Sequence, residues 1–334
     1  MQPTYRPASL NATASGADRT ERVRVRIAGC RALLEGFYLR PTEIEHMLRY
    51  PPRYWRPVQN KQEKPCHSPN RLLREAQEKA LVWARNCWFS AVPERFRTPL
   101  PYFPATAFIR RSSIIENARY HADNRSSWQL DLRNAFEQIR TKHIQRSFIR
   151  WGMSLDAAWV FSRLLTFRGR LRRGAPSSPA IFNLLLERLD LELTRALGAP
   201  TKPELLKHRQ EPGPVYTRYG DNLCFSSPDV IFSEAAKHRI LEIIASHGFR
   251  LNHRKTREGR NGVLEFPGVV VANGFIRPNS RYFSRLKAAA ASGSFGSDGI
   301  REGHYGFLRQ FPQARRLKIV RTLLNSSTAS PPPK

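Results

Sequence analysis

The sequence predicts an α+β protein, and three observations carry that prediction. Candidate strands are few and short. Helical stretches of unequal length separate them, without the regular alternation of a doubly wound sheet. Several long stretches repeat apolar residues every three or four positions, the period of a half-buried helix.

Taken in order, residues 1–20 are polar and residues 21–50 read as helical, with Ile44, Met47 and Leu48 on one face. Thr42 and Glu45 have the spacing of a capping box. Residues 51–70, rich in Pro and Lys, read as loop or edge strand. Residues 70–89 read as a helix burying Leu72, Leu73, Ala76, Ala80, Leu81 and Ala84. Residues 95–107 are loop. "WQLDL" (128–132) is a short strand, and 133–152 follow as a helix. Residues 177–197 are the clearest helix, with Pro179 in the first turn and Gly198 just past the end. After a loop over 199–214, "VYTRYGDNLCFSS" (215–227) reads as a hairpin. Residues 233–248 form a capped helix ending at Gly248, and 263–276 supply strands with Asn273-Gly274 as a turn. The last sixty residues read as short helices with a tail over 327–334.

A chain of 334 residues, 40% hydrophobic, has room for two or three subdomains around sizeable cores. Its 56 Lys and Arg outnumber 27 Asp and Glu, a net charge of +29 spread along the chain. That balance suits a polyanion, and nucleic acid first. Cys30, Cys66, Cys87 and Cys224 show no CxxC spacing, which argues against a zinc site or disulfide framework and for a reducing, cytoplasmic compartment. The N-terminus lacks the apolar core of a signal peptide, and no apolar run reaches the about 18 residues a membrane span needs. No membrane partner is expected.

Asp131 ends one apolar strand and Asp221 sits at the bend of another. If the fold joins them, two carboxylates amid many cations suit Mg²⁺, which takes one or two protein carboxylates and completes its octahedron with phosphate and water. Alone, each Asp is an ordinary turn or cap residue.

The motifs around these two residues resemble those of reverse transcriptases. "LDLRNAFEQI" (130–139) resembles the first palm motif, "RRGAPSSPAIFNLLLERLD" (172–190) the QGxPxSP motif, and "YTRYGDNLCFS" (216–226) the YxDD box. "GFRLNHRKT" (248–256) and "FPGVVVANG" (266–274) resemble the two elements that follow. All five stand in the family's order. "NARYH" (117–121) is similar to the NAxxH element of retron reverse transcriptases. The resemblance implies a right-hand architecture: an N-terminal extension over 1–40, fingers over 41–127, a palm of antiparallel sheet and helices over 128–274, and a short helical thumb over 275–326.

It also implies roles. Asp131 and Asp221, with the Leu132 carbonyl, would hold Mg²⁺, with Mn²⁺ as an alternative, and Asn222 would stand beside them as the third catalytic-motif residue. Phe136 would exclude a ribose 2′-OH. Gly174 would let backbone approach the nucleotide. Ala175, Pro176 and Ser177 would line the templating pair, and Lys255 and Lys64 would face the triphosphate. Asn117 and His121 would belong to RNA recognition. Read from residue type alone, Phe136 is a core aromatic, Lys255 a surface lysine, and Asn117 with His121 a structural pair one helical turn apart.

Several positions depart from the pattern. Asn222 replaces the second Asp of YxDD, and Arg173 replaces the Gln before Gly174. Arg111 and Ser112 replace the Gly and Arg of a fingers motif, and Lys64 replaces an Arg. Pro267 stands where the retron pattern has Thr. Two functions from different classes follow. The first is an RNA-directed DNA polymerase of retron type, making a branched RNA–DNA product from dNTPs on a structured non-coding RNA, in anti-phage defence with a separate effector protein. The second is a reverse-transcriptase fold that has lost catalysis and serves as an RNA-binding or scaffold subunit. Other bacterial groups, defence-associated or intron-derived, share the chemistry of the first.

Overall fold

A computed structural model describes residues 16–58, 66–91, 104–109, 112–200, 213–229, 232–272, 274–291, 303–304 and 306–311. Lys64, Arg111 and Asn273 lie outside them. The chain divides into two compact units, Met1–Arg97 with Asn134–Leu185, and Thr98–Arg133 with Leu186–Lys334.

The first unit opens with α1 (Gly16–Ala28), α2 (Arg31–Gly36) and α3 (Pro41–Arg49). Ile44, Met47 and Leu48 are buried as expected. The expected capping box at Thr42 and Glu45 does not form. Pro41, with φ already helical, takes the first position and moves the cap to Arg40. Glu45 pairs with Arg24 and Arg49 instead. The Pro-rich stretch forms an antiparallel pair, β1 (Trp55–Val58) and β2 (Cys66–Pro69).

Helix α4 (Arg71–Ala91) buries Leu73, Ala76, Gln77, Ala80, Ala84 and Trp88. Leu72, expected inside, is exposed, and Leu81 is half-buried. Gln77 takes a place on the stripe because both ends of its amide are satisfied. Its Nε2 donates to the Leu164 carbonyl at 2.8 Å, and its Oε1 accepts from Ser177 at 3.0 Å. The helix expected over 133–152 is broken. Asn134 is left-handed (φ 47°), α6 (Ala135–Gln138) is one turn, and α7 (Thr141–Arg150) starts afresh. Between them Ile139 accepts a backbone hydrogen bond from Leu171 at 2.9 Å, and Arg140 bridges Arg170. A further helix, α8 (Leu155–Leu164), is capped by the Ser154 hydroxyl.

Helix α9 (Ser178–Leu197) carries the chain from the first unit into the second. Gly198 follows it at φ 66°, the left-handed stop expected there. The second unit holds α5 (Ile114–Arg119) and a four-stranded antiparallel sheet ordered β4 (Val215–Tyr219), β5 (Asn222–Ser227), β3 (Ser126–Asp131), β6 (Arg257–Gly259). Ser233 caps α10 (Glu234–Ser246). A meander of β7 (Val263–Phe266), β8 (Val269–Ala272) and β9 (Phe275–Pro278) turns first at Pro267-Gly268, where Gly268 has φ 84°. Helix α11 (Ser280–Ala291) follows. Ile114, Ile115, Leu264, Phe266, Val271 and Leu286 share this unit's core. The α+β class is borne out, with the long strands all in the second unit.

Candidate active site

The chemistry-bearing corner is built by strand register. Strands β4 and β5 are joined by two residues, Gly220 and Asp221, with Tyr219 opposite Asn222. Gly220 has φ 66°, the conformation a tight hairpin loop asks of its first residue. On the other side of β5, β3 pairs so that Asp131 faces Asn222, and the Leu132 N–H donates to the Asp221 carbonyl at 2.8 Å. Asp131 and Asp221 therefore come to the same end of neighbouring strands.

A third segment closes the corner. The Asn252 N–H donates to the Asp131 carbonyl at 2.8 Å, and the Arg133 N–H to the Arg250 carbonyl at 2.9 Å. The Leu132 carbonyl takes part in neither bond. A 3-10 turn, His253–Lys255, then brings Lys255 Nζ to 2.8 Å from Asp131 Oδ2. Asp131 is 4% exposed beneath it. Asn222 turns its amide nitrogen to Asp221, donating to Oδ1 at 3.3 Å and to the Tyr219 carbonyl at 3.4 Å. Burial pushes the Tyr219 phenol above its usual range.

The remaining expected residues fall elsewhere. Phe136, Gly174, Ala175 and Pro176 belong to the first unit. Phe136 is half-buried and stacks on Phe182, with ring centroids 4.7 Å apart. Gly174 (φ 92°) has a local reason to lack a side chain: a Cβ would lie 2.9 Å from the His67 carbonyl oxygen and 2.8 Å from Cys66 Sγ. The close approach it permits in this structure is to β2. Ala175 is buried and Pro176 exposed, while Ser177 is buried against Gln77.

Asn117 and His121 lie inside the second unit. Both are fully buried, so neither offers a surface to RNA. Asn117 Nδ2 donates to Thr106 at 2.8 Å and Thr217 at 2.7 Å. The His121 ring nitrogens meet Ser226 at 2.7 Å and Thr217 at 2.8 Å. They join the segment around α5 to β4 and β5, as their one-turn spacing allowed.

Two further features shape the corner. Arg218 is buried beside Asp190, and a charged residue inside the apolar run "VYTRY" was the available signal. Phe108 is largely exposed with φ 63°, its ring 3.6 Å from where a Gly220 side chain would start. Nothing in the local sequence foretells that placement.

Comparison with known proteins fits this arrangement. Residues 69–271 match the family model described as reverse transcriptase (RNA-dependent DNA polymerase), more than half of the chain. The chain belongs to the reverse transcriptase family. Among curated relatives, this family member is 28% identical over 225 residues to the retron Mx65 reverse transcriptase of Myxococcus xanthus, covering 61% of this chain and 47% of that one. It is 27% identical over 182 residues to the retron Ec86 reverse transcriptase of Escherichia coli, covering 54% and 53%. The chain thus spans about half the length of the curated relatives it matches. Among solved structures, a Candida albicans telomerase in complex with a TWJ fragment of telomeric RNA aligns over 82% of this chain and 56% of that one, at 12% identity and a TM-score of 0.46. Among the described residues no helix is long and apolar enough to cross a membrane.

Proposed function

We propose that this chain is a retron-type RNA-directed DNA polymerase that extends a primer with dNTPs on a structured RNA. The observation that carries the reading is the β3–β5 register, which sets Asp131 and Asp221 at one corner in a chain of this family.

The residues there fit a magnesium ion. Among the described residues no group of three or more His, Cys, Asp or Glu is placed to hold a metal. The corner instead offers two carboxylates, with the Leu132 carbonyl nearby in the chain. That is a donor set for a hard ion that keeps phosphate and water ligands, and not for zinc. The contact of Lys255 with Asp131 fits as well, since the carboxylate is already neutralised by a cation. Asp131 and Asp221 would hold the ion. When bound, it supplies Lewis-acid activation of the primer hydroxyl and charge neutralisation at the leaving pyrophosphate.

The chain's own residues do the rest. Lys255 is half-exposed on a flexible stem, so its ammonium can turn from Asp131 to a triphosphate, where a cation stabilises developing charge. Asn222 carries no charge but keeps an amide oxygen. The +29 charge supports grip on RNA and on an RNA–DNA duplex. The branched product, the separate effector and the role against phage rest on the likeness to retron enzymes, and the cytoplasmic setting on the cysteine pattern.

Primer extension with Mg²⁺, dNTPs and an RNA template tests the reading. Extension that disappears in Asp131→Ala supports it. One observation favours the second reading, an RNA-binding subunit without chemistry: Asn222 directs a donor and not a second carboxylate at Asp221. Tight, salt-sensitive RNA binding indifferent to Asp131→Ala and to Mg²⁺, with no extension, identifies that case.

A further inference from the structure

Strand β4, which leads into the Gly220–Asp221 turn, is held on both faces by polar side chains. On one face lies Arg218, fully buried. Its Nε is 2.9 and 3.1 Å from the two carboxylate oxygens of Asp190 on α9, and its Nη2 is 2.7 Å from Oδ2. Tyr216, two residues back and so on the same face, donates its hydroxyl to Asp190 Oδ1 at 2.7 Å. Burial works against the Arg218 charge, but Asp190 and then Tyr216 together outweigh it and raise the guanidinium pKa. On the opposite face Thr217 meets Asn117 and His121. The backbone is tied as well: the Arg218 N–H donates to the Pro104 carbonyl at 2.9 Å, and the Thr106 N–H to the Arg218 carbonyl at 2.8 Å.

A buried ion pair is a weak source of stability compared with apolar residues of the same volume. What this one has is direction. The guanidinium is a rigid fork, and its remaining arm, Nη1, donates to the Gly220 carbonyl at 3.2 Å. That carbonyl belongs to the peptide leading into Asp221. We propose that the Asp190–Arg218 pair is a positioning device for Asp221: Asp190 fixes the fork from behind, and the fork fixes the peptide that aims the carboxylate. Arg218 acts through Asp221 and touches no substrate. The inference rests on the polymerase reading of that carboxylate.

Two variants separate positioning from bulk stability. Asp190→Leu with Arg218→Met removes both charges at similar volume. Arg218→Lys keeps the charge facing Asp190 but loses the arm to Gly220. Each is compared with the wild type by thermal melting, by Mn²⁺ binding followed by electron paramagnetic resonance with Asp131→Asn as the blank, and by kcat and KM for dNTP in primer extension. The double variant is expected to melt somewhat below the wild type, because the buried Tyr216 hydroxyl loses its acceptor, yet to stay folded. In both variants kcat falls between about 10- and 100-fold and Mn²⁺ affinity weakens, the scale seen when an outer partner of a metal ligand is lost. KM for dNTP stays within about twofold, because ground-state nucleotide binding is not what the pair controls. A folded double variant with wild-type kcat and wild-type Mn²⁺ affinity overturns the proposal. If that variant does not fold, Arg218→Lys with wild-type values overturns it equally. A wild type that neither extends a primer nor binds Mn²⁺ through Asp131 fails the polymerase reading itself, whereas an active wild type with unchanged variants fails only the positioning role.

Discussion

Two ion pairs of almost equal length stand at the corner that carries Asp131 and Asp221. Arg218 meets Asp190 at 2.7 Å with side chains 0% and 3% exposed, while Lys255 meets Asp131 at 2.8 Å with side chains 52% and 5% exposed. The first joins a planar fork to a carboxylate through several bonds in a sealed site. The second joins one ammonium on a flexible stem to one oxygen beside water. Distance alone does not tell them apart. Burial and the number of bonds do: the sealed pair can only hold a geometry, and the open pair can be exchanged for a metal ion or a phosphate.

Substitutions should therefore sort by pair. The largest effect is expected at Asp131. Asp131→Asn removes a carboxylate proposed to hold the metal, and primer extension drops below detection while the melting temperature moves only a few degrees. Asp190→Ala acts in the other currency. It leaves the Arg218 charge buried without its partner, and urea unfolding should show a loss of about 3–5 kcal/mol. Lys255→Met restores the contrast. Lys255 is half in water but Asp131 is buried, so the urea midpoint shifts by less than in Asp190→Ala, but extension falls roughly 10²- to 10³-fold as a cation near developing charge is lost. Asn117→Ala tests the opposite face of β4. It removes one donor from each of the buried hydroxyls of Thr106 and Thr217, which keep the Arg218 carbonyl and His121 as partners, so urea unfolding should show a loss of about 1 kcal/mol, and RNA affinity measured by filter binding stays unchanged.

The smallest effect concerns pH. Lys237, and then Arg260, hydrogen-bond Glu258 and hold its carboxyl below the usual range. A lowered folded pKa means the folded state binds fewer protons, so the contribution is complete above the unfolded carboxylate range. It is lost as pH falls through the lowered folded value. Melting curves of Glu258→Gln across acidic pH should show a slightly flatter loss than the wild type.

Much of this corner was legible in the sequence. Gly220 and Asp221 stand between apolar runs, which marks a hairpin loop, and Asp131 ends a short apolar strand. Their meeting was not legible from either stretch, because it depends on the long-range register that sets Asp131 against Asn222. The same limit explains the misread elements. Leu72 has the chemistry of a core residue, but the helix turns Gln77 inward because Leu164 and Ser177 wait to bond it. Residues 133–152 have helical periodicity throughout, yet Leu171 claims the Ile139 carbonyl and breaks the run. Arg218 was readable only as an anomaly, a charge among apolar strand residues, and its partner Asp190 lies on a helix with nothing local to single it out.

Primer extension on an RNA template with Mg²⁺ and dNTPs, run side by side on the wild type, Asp131→Asn and Asn222→Asp, tests the central claim that Asp131 and Asp221 form a working catalytic corner. The wild type is expected to synthesise DNA, Asp131→Asn none, and Asn222→Asp at least as much as the wild type. A silent wild type beside an active Asn222→Asp would contradict that claim, as would a wild type and an Asp131→Asn of equal activity.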